Sequence, residues 1–563
     1  MSSKGFLSLF FVSLFFLCTF EACNNSKPPE TAIVSTPEEL EIKASDIIRS
    51  SIGYATENEG KIDDSIQLNN IKLVKLIYEN NQFATLWSIK EQWTPTGNSL
   101  RNFIGVAKLY GLFPEDYHFP VLDSINRRFQ QDTFAKAARR DAVLWSKTDL
   151  ILTDAFLHII RDLKLGRLPQ DSISQRSDSV LTDEFYLQQY QQLLQNGSLT
   201  EVFHSLEPRH QGYWSLKAGI KKFLDSADNK IYTIVPTRKD TANFKEALKK
   251  RLLEGGYFAN DSMAVDSSQL TQAVKAFQRS KGIKVDGKAG DETIRMLNFS
   301  DRDKFISIAI TLDRYKMLPD TMPSRYIWVN LPGYYMQLIQ DDSILIMSKI
   351  VCGKAITRTP LLTSAISNLV TYPQWTIPES IILKEVLPGI KKDSDYLSKK
   401  GYSLIDSKGD EIDPHSVNWS KYKKGIPYKV VQGSGDENAL GILKFNFPNK
   451  YAVYLHDTNQ RYLFSRDIRS LSHGCVRVQE WEKLAYNIVR YDNEEKYYDA
   501  PSPVEDSMTT WLQRKEKHTI PIRKKLPVYI RYFTCEGKNG DLLFYDDIYG
   551  EDKSLHERYF AGK

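Results

Sequence analysis

The chain has 563 residues, of which 41% are hydrophobic and 26% are charged. This length exceeds one ordinary hydrophobic core and the composition excludes a disordered chain, so about two to four domains are expected. The formal net charge of +5 is small for this length and the basic residues are dispersed, which gives no basis for a nucleic-acid partner.

The first segment has the pattern of an export signal. Lys4 precedes a nearly uncharged apolar run, Phe6–Phe20, which is too short for a comfortable membrane span. Cys23 follows this run as the lipidated cysteine does in bacterial lipoprotein signals, which the segment resembles. We therefore predict a signal peptide over residues 1–23 that ends at lipidated Cys23, followed by a polar tether over residues 24–43. Plain secretion and an uncleaved anchor are the alternatives.

The predicted anchor places the protein in the cell envelope, as a periplasmic lipoprotein held in the inner or the outer membrane. Cys352, Cys475 and Cys535 remain after the signal. In an oxidising compartment, an odd number of cysteines points to at least one free thiol. Cys352 and Cys535 each follow an apolar strand-like run, so we expect them to be buried; a bridge between these two is the alternative.

Residues 44–240 have a helical pattern. Apolar side chains recur at helical spacing, for example at Ile71, Val74, Ile77 and Tyr78. No catalytic cluster appears in this region, and its scattered histidines are interpreted as surface or core residues. The pattern predicts a helical scaffold domain with a supporting role.

Residues 241–300 form a compact unit with three predicted helices. These helices are Phe244–Glu254, Ser268–Ser280 and Asp291–Leu297, with a glycine-containing turn before the last. The unit resembles the three-helix peptidoglycan-binding domain, whose motif is matched in order by Ala273, Phe277, Gln278, Gly282, Ile283, Asp286, Gly287, Gly290, Thr293 and Leu297. The resemblance implies contact with glycan or stem peptides; a role as a spacer is the alternative. A linker helix is predicted over residues 301–325.

From Tyr326 the hydrophobic period changes from that of a helix to that of a strand. The strand-like runs, separated by turn signals, are Tyr326–Leu331, Tyr334–Gln340, Ser343–Val351, Gly441–Phe447 and Tyr451–Leu455, and the last two predict a hairpin. Residues 326–500 are therefore predicted to form a mostly-β domain. Residues 501–563 are predicted to be a C-terminal extension that packs on the scaffold.

A long insertion, residues 378–433, interrupts the predicted β domain. It is rich in lysine, glycine and serine and has weak periodicity. An insertion of this length beside an active site is typical of a lid. Surface decoration is the alternative.

The segment Ser472–Arg477, which reads Ser-His-Gly-Cys-Val-Arg, concentrates the chemistry of the chain. Only a thiolate is a strong nucleophile, so Cys475 needs a base, positive potential and N–H donors for the oxyanion. His456 ends the last strand-like run and is predicted to be the general base and acid. A helix beginning near Gln479 is predicted to bring its positive dipole end close to the thiol.

The neighbouring residues are assigned supporting roles. Gly474 lets backbone N–H groups approach the substrate, and the Tyr454 hydroxyl is a second candidate oxyanion donor. His473 is predicted to orient the turn through a backbone hydrogen bond, and tuning of the thiolate is the alternative. Arg477 either pairs with a substrate carboxylate or fixes the turn.

The sequence leaves two other interpretations of the cluster open. His456, His473 and Cys475 are residue types that bind zinc, although no fourth ligand lies at the usual spacing. Cys475 is alternatively a structural residue in a buried turn.

The cluster resembles the L,D-transpeptidase catalytic domain of the YkuD family, whose signature is a histidine, a gap, and Ser/Thr-x-Gly-Cys followed by a hydrophobic residue and Arg or Asn. His456, Ser472, Gly474, Cys475 and Arg477 match it. The resemblance extends over nearly all of the chain beyond Ser65 and implies the large branch of the family. The implied fold is α+β and multi-domain: a helical scaffold, a peptidoglycan-binding module and a mostly-β catalytic domain with a lid.

The resemblance also implies an activity. Cys475 would attack a tetrapeptide stem of peptidoglycan, release its terminal D-alanine and pass the acyl group to an amine of a second stem, forming a 3→3 cross-link. No metal or organic cofactor is needed, and carbapenems are expected to acylate Cys475. Ser472, Arg477 and Trp375 are expected to contact substrate, with a core position as the alternative for Trp375. The alternatives to cross-linking are an L,D-carboxypeptidase on the same scaffold and a non-catalytic, lipid-anchored wall-binding scaffold.

Overall fold

The computed structural model describes residues 27–134, 140–228, 230–240, 242–258, 266–493 and 503–563. The predicted signal over residues 1–23 and its lipidated Cys23 lie outside these residues. Of the helices in the described part of the chain, none has the length and apolarity needed to cross a membrane.

The chain divides into two compact units. The first comprises Met1–Ala107, Phe113–Arg161 and Val180–Ser205, and the second comprises Lys108–Leu112, Asp162–Ser179 and Leu206–Lys563. The predicted scaffold domain, residues 44–240, is therefore shared between two units rather than forming one.

The first unit is almost entirely helical. Its helices are α1 (Pro37–Glu57), α2 (Ile71–Asn80), α3 (Pro95–Gly105), α4 (Phe119–Phe134), α5 (Ala142–Lys164), α6 (Asp183–Asn196) and α7 (Leu199–Leu206), of which α5 and α7 end in the second unit. Two short antiparallel pairs accompany them: β1 (Ile33–Val34) with β4 (Arg140–Asp141), and β2 (Ser88–Ile89) with β3 (Gln92–Trp93).

Helix α1 begins earlier than predicted. The Thr36 side chain accepts a hydrogen bond from the Glu39 N–H, and the Glu39 carboxylate accepts one from the Thr36 N–H. This capping box, followed by Pro37, is a strong helix start. The predicted tether over residues 24–43 therefore ends about Thr36 among the described residues.

A buried carboxylate on α5 holds a neighbouring loop. Asp149 accepts hydrogen bonds from the Leu86 and Trp87 N–H groups and from the Tyr78 hydroxyl. Burial raises the pKa of Asp149 to about 6. These bonds fix the loop that places Trp87 in the helical core.

The second unit begins with α8 (Gln211–Ser226) and the three-helix module. The module consists of α9 (Phe244–Glu254), α10 (Ser267–Ser280) and α11 (Asp291–Asn298), within a residue of the predicted bounds. α12 (Asp301–Lys316) follows and ends before the predicted linker limit at residue 325.

The motif residues of this module hold its turn together. The Gln278 side chain is buried; its amide group donates to Asp286 and Thr293, and its carbonyl accepts from the Asp286 and Gly287 N–H groups. Gly287 has φ +72°, which suits glycine. The Gln, Asp-Gly and Thr positions of the motif are therefore explained by the structure of the turn alone.

The mostly-β domain is a closed barrel. Its strands are β5 (Arg325–Asn330), β6 (Tyr335–Gln340), β7 (Ser343–Gly353), β8 (Leu362–Thr371), β13 (Leu443–Asn446), β14 (Leu455–His456), β15 (Ser470–Ser472), β16 (Val476–Val478) and β17 (Thr519–Arg531). The order is β15-β7-β16-β14-β13-β8-β17-β5-β6, and an additional β6–β7 pairing closes the barrel. Inward side chains such as Val329, Leu369, Phe445, Val476 and Val528 form its core.

The prediction for residues 501–563 is wrong in part. Strand β17 is one of the strands of the barrel wall and pairs antiparallel with β8 and parallel with β5. Without it, β8 and β5 would both expose unpaired backbone groups. The extension also contains α17 (Pro503–Gln513), α18 (Glu551–Tyr559) and a hairpin of β18 (Cys535–Lys538) and β19 (Asp541–Phe544). The hairpin does meet a predicted scaffold helix, since a Cβ on Gly219 of α8 would lie 2.5 Å from Leu542. Arg167, also within the predicted scaffold, donates to the Tyr559 carbonyl at 3.3 Å.

The insertion forms a small sheet with a buried cluster of its own. A four-stranded sheet has the order β11 (Glu411–Ile412), β10 (Tyr402–Ile405), β12 (Lys429–Gln432) and β9 (Trp375–Thr376). Helices α13 (Glu379–Ile381), α14 (Leu387–Lys392) and α15 (Tyr396–Lys399) surround it, with a π-helical turn, Ile382–Val386, between the first two. Its buried cluster includes Ile377, Val386, Leu404 and Val430.

The remaining cysteines are not bridged. Cys352 and Cys535 are both buried and free, and Cys475 is free and half-buried. Burial raises the pKa of the Cys352 thiol to about 12 and holds that of Cys535 well above its usual value. The alternative of a Cys352–Cys535 disulfide is therefore wrong, and of the three cysteines in the described residues Cys475 alone is not fully buried.

Candidate active site

The structure brings the predicted cluster together on two adjacent parallel strands. β14 and β16 pair with Leu455 opposite Val476 and His456 opposite Arg477. The Val476 N–H donates to the Tyr454 carbonyl at 3.1 Å, which sets Tyr454 beside Cys475. Because side chains alternate along a strand, Tyr454, His456, Cys475 and Arg477 face the same side of the sheet.

Ser472 and Gly474 give the cysteine turn its shape. The Ser472 hydroxyl donates to the Cys475 carbonyl at 2.6 Å and accepts from the Gly474 N–H at 3.1 Å. Gly474 has φ +127°, although a Cβ there would meet its nearest atom only at 3.5 Å. Glycine is thus required by backbone conformation rather than by space. The Gly474 N–H is already engaged, so it is not a donor for an oxyanion.

A second loop fixes the same turn from outside. The Thr359 hydroxyl donates to the Gly474 carbonyl at 2.8 Å, and the Thr357 hydroxyl donates to the Ser472 carbonyl at 3.0 Å. The Thr359 hydroxyl also accepts from the Gly353 N–H at the end of β7. The turn is therefore held in position before any substrate binds.

The predicted helix dipole at Cys475 is wrong. The helix α16 (Trp481–Asn493) begins within two residues of the predicted start near Gln479, but strand β16 intervenes between it and Cys475, six residues earlier. Three strand residues span about 10 Å, and the effect of a helix terminus falls off within about one turn. Other charges must supply the positive potential at the thiol.

His456 is buried and electrically neutral. The residue is 4% exposed, and its Nδ1 has no hydrogen-bond partner among the described residues. Burial, with smaller effects of Arg477 and Lys444, lowers the pKa of His456 to about 3, while hydrogen bonds with the Asp457 and Leu440 backbone oppose this. The unpaired Nδ1 is thus a basic nitrogen on the same face of the sheet as Cys475.

Cys475 is a protonated thiol in the resting site. Burial raises its pKa, and four contacts oppose that rise: the backbone and hydroxyl of Tyr454 and the charges of Lys444 and Arg477. The resting pair is therefore a thiol and a neutral imidazole. Attack by sulfur requires that the proton leave as the new bond forms.

Tyr454 links the thiol to the lid. Its hydroxyl is hydrogen-bonded to Cys475 and to the Trp375 indole, and burial together with Cys475 raises the pKa of Tyr454. Its ring packs edge-on against His456, with centroids 5.7 Å apart. Trp375 lies in β9 at the base of the lid and is partly buried against the lid cluster. It thus combines both predicted positions, being packed in a core and in contact with the site.

Two residues of the site were missed by the sequence analysis. Lys444 on β13 lies opposite His456 in the antiparallel pair, with Nζ 3.8 Å from the Tyr454 ring centroid. Its signal was the alternation of β13, where Leu443 and Phe445 are buried and Lys444 faces the other way. Glu385, in the π-helical turn of the lid, had no such signal because the lid's approach to the turn depends on tertiary structure.

His473 reaches the lid. Its Nε2 lies 2.5 Å from Glu385 Oε1, and the two side chains are 33% and 47% exposed. The predicted orienting role placed its hydrogen bond on the backbone; the structure instead joins it to the insertion. The lid is therefore tied directly to the turn that carries Cys475.

Arg477 is fixed by a neighbouring loop. Its Nη1 donates to the Gln460 side chain at 2.9 Å, and its buried Nε has no hydrogen-bond partner within the described residues. Burial lowers its pKa. The zinc alternative gains no support, since in the described part of the chain no three His, Cys, Asp or Glu side chains are grouped to hold a metal.

Three segments of the chain match known domain models. Residues 72–219 match a scaffold domain, residues 243–297 match a "putative peptidoglycan binding domain", and residues 324–505 match the L,D-transpeptidase catalytic domain. The predicted α+β, multi-domain organisation is confirmed.

Individual proteins resemble parts of the chain. A curated protein from Haemophilus influenzae named "Putative L,D-transpeptidase" is 35% identical over 249 residues, which cover 44% of this chain and 48% of that protein. The chain thus spans about half the length of this curated relative.

Two solved structures are also similar. They are the Ldtfm–avibactam carbamoyl enzyme (14% identity, 37% of this chain, 49% of that chain, TM-score 0.17) and the L,D-transpeptidase from Mycobacterium smegmatis (12% identity, 37% and 58%, TM-score 0.17). TM-scores this low add nothing to the match of the catalytic domain.

Proposed function

Because the chain carries an L,D-transpeptidase catalytic domain, we propose that it cross-links peptidoglycan by cysteine-dependent acyl transfer. The donor is a tetrapeptide stem that loses its terminal D-alanine, and the acceptor is an amine of a second stem, which gives a 3→3 cross-link. The observation that supports this most strongly is the grouping of Tyr454, His456 and Cys475 on one face of the paired strands β14 and β16.

In the first half-reaction, the Cys475 sulfur attacks the carbonyl carbon before the terminal D-alanine, and the thiol proton passes to His456 Nδ1. The carbonyl oxygen becomes an oxyanion, for which the Cys475 N–H and the Tyr454 hydroxyl are the donors. One such donor typically contributes about 3–4 kcal/mol to lowering the barrier. The C–N bond then breaks, the leaving amine takes the proton from His456, and a thioester remains.

In the second half-reaction, an amine of a neighbouring stem attacks the thioester carbonyl. His456, neutral again, takes the proton of the attacking amine, and the proton returns to sulfur as the C–S bond breaks. The Arg477 side chain shares the face of the sheet that carries Cys475, and its guanidinium is proposed to pair with a carboxylate of either stem. No metal or organic cofactor enters these steps.

The reaction is tested with purified protein and disaccharide tetrapeptide. Mass spectrometry should detect a dimer that has lost one D-alanine. Release of D-alanine with tripeptide as the sole product would instead establish an L,D-carboxypeptidase. No change in the substrate, with the fold intact, would support a non-catalytic wall-binding scaffold.

The lid is proposed to control access to Cys475 through the Glu385–His473 contact. Glu385→Gln removes the carboxylate from this contact, and a solvent-exposed polar contact of this kind is worth about 0.2–1 kcal/mol. We expect hydrogen exchange of residues 378–433 to become about two- to fivefold faster in this variant. Glu379→Gln, on the same lid segment, is the control and should exchange like the original protein. Equal hydrogen-exchange rates of the lid in Glu385→Gln and in the control would contradict a role of the Glu385–His473 contact in holding the lid.

Two segments outside the catalytic domain are proposed to hold the enzyme at its substrate. We infer a lipid anchor at Cys23 and glycan or stem-peptide contact by residues 241–300, which keep the catalytic domain at the wall. Cys23→Ser should move the protein, expressed with its signal in a bacterial host, from the detergent phase to the aqueous phase of a Triton X-114 partition. Unchanged partition would exclude lipidation of Cys23.

A further inference from the structure

The site contains a cation that none of the catalytic steps uses. Lys444 lies on β13 directly opposite His456, so its side chain shares the face of the sheet that carries the cysteine and histidine. Its Nζ lies 3.8 Å from the centroid of the Tyr454 ring, a cation–π distance. Tyr454 is in turn hydrogen-bonded to Cys475. The ammonium group is therefore held one side chain away from the sulfur.

Lys444 has an unusual charge environment. It is half-buried, and no carboxylate of the described residues forms an ion pair with it. Burial lowers its pKa, and the interaction that opposes this is with Cys475. Because a partly buried cation is costly without a counter-charge, the negative sulfur formed during the reaction is the charge that this position lacks.

The neighbouring histidine does not supply a standing positive charge for the negative sulfur. Burial first, and the charges of Arg477 and Lys444 after it, lower the pKa of His456 and keep its imidazole neutral at rest. A persistent thiolate–imidazolium pair is therefore disfavoured. The helix terminus expected to supply positive potential is also absent from the turn, since β16 separates Cys475 from α16.

We infer that Lys444 is a positioning residue that stabilises the Cys475 thiolate through space and holds the Tyr454 ring beside it. The thiol proton still passes to His456, and the negative charge still moves from sulfur to the carbonyl oxygen. Lys444 exchanges no proton and forms no bond in this scheme; it lowers the energy of the negative charge while that charge resides on sulfur. The inference rests on the proposed role of Cys475 as the nucleophile.

Ionisation of the thiol gives a direct test that needs no stem peptide. The rate at which iodoacetamide alkylates Cys475 is measured against pH by peptide mass spectrometry, since alkylation follows the thiolate fraction. Lys444→Met should raise the apparent pKa of the thiol by about one unit, which is about a tenfold slower alkylation near neutral pH. Lys444→Arg keeps the charge and should retain the original profile.

The other groups around the sulfur are unchanged in these variants. They are Arg477 on β16, His456 on β14, Tyr454 just before β14, Tyr462 beside Arg477, and the His473–Glu385 pair between the turn and the lid. Lys450→Met is the matched control: Lys450 is exposed on the same hairpin, and its Nζ lies 5.2 Å from the Tyr451 ring centroid. It should keep the original alkylation profile.

The outcomes separate this inference from the proposed function. If Lys444→Met and Lys444→Gln both keep the original alkylation profile, Lys444 has no electrostatic role, whatever the cross-linking assay gives. If Lys444→Met unfolds, the Gln variant, which retains a polar side chain, decides the question by the same profile. A lowered melting temperature with an unshifted profile would assign Lys444 a structural role only and overturn the inference. Failure of the original protein to cross-link stems, with the Lys444 shift present, would overturn the proposed function alone.

Discussion

Cys475→Ala is expected to abolish both stem cross-linking and acylation by a carbapenem such as meropenem. Both reactions require a sulfur–acyl bond, and no other side chain in the site is placed to form one. Cys352 and Cys535 do not substitute for it, because both are buried and the pKa of each thiol is raised. The adduct on Cys475 is measured by mass spectrometry after incubation, and cross-linking by the mass of the stem dimer.

The fold should survive this substitution. Cys475 is half-buried at the margin of the barrel core, so removal of its sulfur should change the free energy of unfolding by about 1 kcal/mol or less. Cys475→Ser is the matched control of similar size and is expected to lose the carbapenem adduct while keeping the melting temperature. An adduct that forms on Cys475→Ala at the original rate would place the nucleophile elsewhere and exclude this turn as the catalytic one.

The local parts of the fold could be predicted well because local signals determine them. The helices of the three-helix module are set by apolar spacing, by the Asp266 cap and by the turn at Gly287. Strand β17 had no comparable signal: Pro521 and Pro527 interrupt it, and its register shifts between Pro521 and Leu526. Its place in the barrel depends on pairing with strands that lie far away in the chain, which the sequence pattern does not record.

The site could be predicted in its residues but not in its electrostatics. Alternation along Tyr451–Leu455 predicts that Ala452, Tyr454 and His456 share one face. Tyr454 and His456 do so, although β14 is only two residues long and Ala452 lies outside it with φ +53°. The depth of His456 and the approach of Lys444 follow from the pairing of β13, β14 and β16. The sequence pattern contains no register between these strands, so it predicts a helix dipole where Lys444 and Arg477 supply the positive charge.

The burial of His456 has two measurable consequences, one for catalysis and one for stability. His456→Gln removes the base, and loss of a positioned base typically slows a reaction by about 10²- to 10⁴-fold. We therefore expect meropenem acylation of Cys475 and stem cross-linking to fall by about this factor. A rate within about threefold of the original would exclude His456 as the base.

The second consequence follows from the pKa of His456, which burial lowers to about 3, below the value of about 6.5 expected for an unfolded chain. Between these two values the unfolded chain binds a proton that the folded protein does not, so the folded state is fully stabilised above pH 6.5 and loses stability as the pH falls. This one group should cost about 2–3 kcal/mol of unfolding free energy between pH 7.5 and 4.5. Urea denaturation at the two pH values should show that loss in the original protein and in Cys475→Ala, and a correspondingly smaller loss in His456→Gln. Cys475→Ala lacks activity but keeps the buried imidazole. If it lost less unfolding free energy on acidification than the original protein, or if His456→Gln lost as much as the original protein, burial would not be what holds His456 neutral.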